Sequence, residues 1–71
     1  MEHTFTRTEE YIPLNKLLKL LDIWENGFEI KSMITEGLVY VNGTQEFRIR
    51  NKLDAGDIVT IPSSDITITV A

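Results

Sequence analysis

Six cationic side chains, Lys16, Lys19, Lys31, Arg48, Arg50 and Lys52, are the residues best suited to chemistry in this chain, and what they suit is neutralising a polyanion. The whole chain works against that reading, since its formal charge is −4. The charge is unevenly spread. From Lys16 to Lys52 the six cations meet five acids (Asp22, Glu25, Glu29, Glu36 and Glu46), which leaves +1; elsewhere Arg7 stands against Glu2, Glu9, Glu10, Asp54, Asp57 and Asp65, which leaves −5. Salt screens charges over ~8 to 10 Å, so one face can attract a polyanion while the acidic remainder is little felt there.

Other chemistry is poorly supplied. His3 has no serine, cysteine or paired carboxylate at an interpretable spacing, and general-base or nucleophilic catalysis needs its partners within hydrogen-bond reach. Asp54 and Asp57 flank a Gly-containing turn and read as turn formers, not as an acid/base pair or metal site. No GxGxxG or GxxxxGK[ST] run offers a phosphate cradle. The expectation is a non-enzyme with no cofactor and no metal.

A chain of 71 residues suggests one domain, residues 1–71, which buries only ~60% of its unfolded surface and leaves little room for a deep catalytic cavity. At 42% hydrophobic and 25% charged it reads as globular. No stretch approaches the roughly 20 apolar residues of a membrane span, and the start "MEHTFTRTEE" lacks the basic and apolar regions of a secretory signal. With no cysteine there is no disulfide framework, and a cytoplasmic protein is expected.

The elements that must position the cations follow from periodicity. A threonine-rich strand is expected at 3–8. Pro13 suits the first turn of a helix and Glu9 and Glu10 favour its positive end; Leu14, Leu17, Leu18 and Leu21 then make a buried stripe with Lys16 and Lys19 on the opposite side. A second helix is expected over 27–36, capped by Asn26 with Glu29 three residues on, carrying Ile30, Met33 and Ile34 inward and Lys31 on its flank, and stopped by Gly37. Trp24 is placed to plug the junction between the helices.

Beyond Gly37 the period becomes two, and "LVYV", "EFRIR", "IVTI" and "ITITV" (66–70) read as strands. At Asn42-Gly43 a two-residue loop would set Val39 against Glu46 and Val41 against Thr44. A three-residue loop with a Gly43 bulge instead gathers Val39, Val41, Phe47 and Ile49 on one face, and is the expected register. It would leave Leu38, Tyr40, Glu46, Arg48 and Arg50 on the outer face.

The succession "LNKLLKLLDI", "NGFEIKSMITEGLVYVNG" and "RIRNKLDAGDIV" resembles the alpha-L RNA-binding motif, the domain named after ribosomal protein S-four, and in particular its small standalone bacterial versions. The resemblance covers about 12–61, and its most specific part is "EGLVYVNG" followed by "KLDAGDIV". It implies an α+β fold in which two short angled helices pack on a small, mostly antiparallel sheet; the strands read at 3–8 and 66–70 are expected to extend that sheet. It also implies an RNA-binding surface made by the helix pair and the adjacent hairpin. Lys16, Lys31, Arg48, Arg50 and Lys52 match the family's basic positions, and Lys19 joins them from the helical wheel. Tyr40 either stacks on an unpaired base or packs in the sheet. Asn26-Gly27 stands where many relatives have Ser-Arg, which keeps a cap and loses a guanidinium.

The implied partner is structured RNA, ribosomal or transfer RNA, held by backbone and shape, with the ribosome as one setting and no membrane. The alternative is a protein-interaction or ribosome-assembly adaptor that keeps the fold with weak RNA affinity, supported by the acidic remainder of the chain and by the threonine-rich terminal strands.

Overall fold

The computed structural model describes residues 2–6, 10–21 and 26–71. Of the strand expected at 3–8, the part described runs only to Phe5 and leaves Thr6 out, while residues 7 and 8, the placing of Glu9 at a helix dipole and the plugging role of Trp24 lie outside those residues.

Helix α1 spans Leu14–Leu20 and buries Leu14, Leu17 and Leu18 completely, so its apolar stripe is the expected one. Burying each leucine contributes about 1.5–3 kcal/mol, which is what holds so short a helix in place. Pro13 is its N-cap residue and supplies no capping side chain. The open amides are met from elsewhere: Leu14 N–H donates to the Asn51 carbonyl (2.8 Å) and Asn15 N–H to that of Ile49 (3.0 Å). Helix α2 spans Gly27–Thr35. Asn26 Oδ1 accepts from Glu29 N–H at 2.8 Å, the predicted cap. At the other end Gly37 takes φ +80, while Gly37 N–H reaches the Ile34 carbonyl and Leu38 N–H that of Met33, the pairing of a Schellman stop.

Among the described residues five strands form the main sheet in the order β1 (Glu2–Phe5), β7 (Ile66–Val70), β6 (Ile58–Ile61), β3 (Tyr40–Val41), β4 (Thr44–Gln45). Only β1 with β7 is parallel. A separate antiparallel pair joins β2 (Ile12–Pro13) to β5 (Lys52–Leu53). Alternation puts Val59, Ile61, Ile68 and Val70 on the buried face, in one core with the helix leucines and isoleucines. The opposite face carries Ile58, Thr60, Thr67 and Thr69. The architecture is therefore the expected α+β arrangement of two helices on a mostly antiparallel sheet.

The hairpin register differs from expectation. Val41 pairs with Thr44 and Tyr40 with Gln45, so the loop has two residues, not three. Asn42 (φ 52) and Gly43 (φ 82) both take the left-handed conformation, the turn whose twist matches the flanking strands. The mixed pair that argued against it, Val41 with Thr44, is present at the turn, and the strand ends at Gln45 before a longer mixed face can develop. Glu46 N–H still reaches the Val39 carbonyl (2.9 Å), and Glu46 Oε2 then accepts from Phe47 N–H and Arg48 N–H, both at 3.1 Å. These bonds turn residues 46–51 out of the sheet. "EFRIR" is a loop, Phe47 is 54% exposed, and Arg48 and Arg50 share no strand face with Tyr40.

A side-chain clasp ties this turn to the next one. Asn42 Nδ2 donates to Asp57 Oδ1 (3.0 Å), Asn42 Oδ1 accepts from Ile58 N–H (2.9 Å), and Asp57 Oδ2 accepts from Asp54 N–H (2.8 Å). Both residues belong to the most family-specific stretch of sequence, and here they are structural.

Candidate nucleic-acid interface

Lys16 and Lys19 stand exposed on the side of α1 away from its buried leucines, and Lys31 on the outer side of α2. Arg50 reaches them by a different route. It lies between Ile49 and Asn51, whose carbonyls are bonded to the first amides of α1, so the loop is fastened across the start of the helix. These four cations surround one open cleft of about 660 Å³ with Asn15 and Gly27, over an apolar floor of Ile30 and Ile49. No carboxylate is among the described residues that line it. Lysines 16 and 19 were legible from the helical wheel, whereas Arg50 was expected as part of a strand face and comes instead from a loop.

A second hollow of about 390 Å³ is lined by Arg48, Arg50, Asn51 and Lys52, so Arg50 is shared and the cationic surface continues from one to the other. Arg48 is compromised there. Its Nε lies 3.2 Å from Glu46 Oε2 and its Nη2 3.2 Å from Oε1. The Arg48 side chain is 76% exposed and that of Glu46 only 13%. The guanidinium's hydrogen bond holds the Glu46 carboxyl below its ordinary pKa against the opposing effect of burial, and the carboxylate raises that of Arg48. Lys52 Nζ sits 4.8 Å from the centre of the Tyr11 ring, a cation–π contact.

Tyr40 lies elsewhere. Its cross-strand partners are Gln45 and Thr60, which places it half-buried on the sheet face opposite Val59, and it lines neither hollow. Two aromatics near the cations were not anticipated: Tyr11, 40% exposed, and Phe28, 81% exposed. The signal for Phe28 was present, since at ~100° per residue it falls opposite the Ile30–Ile34 stripe. Asn15 at the cleft edge has a buried Oδ1 with no hydrogen-bond partner.

Among the described residues no group of three or more His, Cys, Asp or Glu side chains is placed to hold a metal ion. No helix among them is long and apolar enough to cross a membrane.

Compared with known proteins, the sequence matches the family described as S4 domain over residues 5–69, which reaches beyond both ends of the resemblance read from the motifs. No curated protein matches it.

Proposed function

The chain belongs to the S4 domain family, whose members in general bind RNA and do not catalyse, and from that premise we propose that residues 1–71 are one non-catalytic domain gripping structured RNA. The RNA is ribosomal or transfer RNA in the cytoplasm. Lys16, Lys19, Lys31 and Arg50 take the phosphates; Lys52 and Arg48 border that contact on the continuing cationic surface, with Arg48 engaged by Glu46. The observation that carries this reading is the convergence of four cations from three separate segments on one cleft, with no carboxylate among the described residues that line it. An A-form duplex offers phosphates and 2′-hydroxyls across a wide, shallow minor groove, which suits recognition by charge and shape. Tyr40 has no part in it, because its place on the sheet fits packing beside Thr60.

The test is titration of a blunt RNA duplex across a salt series. Four phosphate contacts at about 0.9 each give a log–log slope near −3.6. Lys16→Ala, Lys31→Ala and Arg50→Ala each flatten it by about 0.9 while the exposed sites leave the fold intact. A flat salt dependence, or a folded triple variant that binds as the parent does, refutes the proposal. The adaptor reading draws on β1, which among the described residues stands at the edge of the main sheet, where a partner's strand could add. A protein complex that survives ribonuclease would favour it.

A further inference from the structure

Phe28 is the most exposed large apolar side chain among the described residues, at 81%. Its position on α2, roughly 160° from the buried stripe on a wheel of ~100° per residue, means the core makes no use of the ring. The same outer face carries Lys31, Ser32 and Thr35, and with Phe28 they line a shallow hollow of about 210 Å³. Lys31 also lines the cationic cleft, so the two concavities share that residue.

We infer that Phe28 is a stacking platform for one unpaired base of the bound RNA, next to the duplex held in the cleft. Lys31 holds the phosphate at the junction between paired and unpaired segments. The inference rests on the RNA-binding reading and adds a ligand feature to it. A flat ring that is exposed, unused by the core and beside a cation has what base stacking requires: a π-face for the base and a positive charge for its phosphate. An apolar side chain of a protein partner would use the ring equally well, but would leave Lys31 without a counter-charge. The hollow reads little sequence. The Thr35 hydroxyl is turned back onto the Lys31 and Ser32 carbonyls (2.9 and 3.2 Å), and Ser32 Oγ donates to Glu36 (3.4 Å). Any base is therefore accepted, since stacking tolerates all four.

The experiment compares a blunt RNA duplex with the same duplex carrying a single-base bulge, against the parent protein, Phe28→Ala, Phe28→Leu and Phe28→Tyr, with thermal melting as the folding control. Phe28→Ala and Phe28→Leu should weaken binding of the bulged duplex by roughly fivefold to a hundredfold, the usual range for one stacked base, and leave the blunt duplex unchanged. Phe28→Tyr, which keeps the ring, should retain affinity. Full binding of the bulged duplex by Phe28→Ala or Phe28→Leu, or equal losses on both RNAs, overturns the stacking role and leaves the cleft standing. A parent protein that binds neither RNA overturns the cleft, and this inference with it.

Discussion

Replacing Glu46 by glutamine should make this protein bind RNA more tightly. Glu46 holds Arg48 through two contacts of 3.2 Å, so a phosphate approaching that guanidinium must first compete with a carboxylate already in place. Glutamine keeps a carbonyl oxygen to accept from Phe47 N–H and Arg48 N–H, so the turn that leads out of the sheet survives while the charge is lost. The size of the effect follows from counting cations. If the four around the cleft give a slope near −3.6, a freed Arg48 adds one phosphate contact and steepens it to about −4.5. One contact of slope 0.9 corresponds to roughly eightfold in affinity between 1 M and 0.1 M salt, so the gain should be large in dilute buffer and vanish in concentrated salt. The assay is the duplex titration at several salt concentrations, with Glu46→Gln made in both the parent and an Arg48→Ala background. An identical gain in both backgrounds would show that general charge, and not release of Arg48, is responsible. No change in slope in the parent background would refute the reasoning altogether.

Gly27→Arg should also strengthen binding and steepen the salt dependence by about 0.9, because a side chain there meets nothing within 4 Å and opens into the cleft; the same titration checks it. Asn42→Ala should destabilise the fold by about 2–3 kcal/mol in urea denaturation, since it removes the clasp to Asp57 and Ile58 and leaves alanine at φ 52. Glu46 has a lowered folded pKa, so its contribution to stability is fully present above the ordinary value of 4.5 and is lost as pH falls through the lower folded value. The melting-temperature advantage of the parent over Glu46→Gln should accordingly hold at neutral pH and shrink below that value.

The helices were readable because long apolar stripes and end signals act locally: Asn26 caps, Gly37 stops, and the leucine spacing names the buried side. Face consistency points to the wrong register at Asn42-Gly43 because residues 46–51 leave the sheet, and what makes them leave is a carboxylate accepting backbone amides, which has no periodic signature. The β2–β5 pair involves two residues from each strand, too few for alternation to reveal. The site shows the same division. Lysines on a helix could be placed by angle, but Arg50 reaches the cleft through backbone bonds between segments far apart in sequence. The motif residues that identified the family most specifically, Asn42 and Asp57, hold the frame, and the cations that would touch a ligand lie in less distinctive positions.

The fastening of the loop across the start of α1 makes two amide protons into remote gauges. Leu14 and Asn15 spend their N–H groups on the carbonyls either side of Arg50, so their exchange with deuterated solvent is timed by how often that loop lets go. A polyanion that grips Arg50 and presses the loop home should slow both protons without contacting either, and one that pulls the loop away should hasten them.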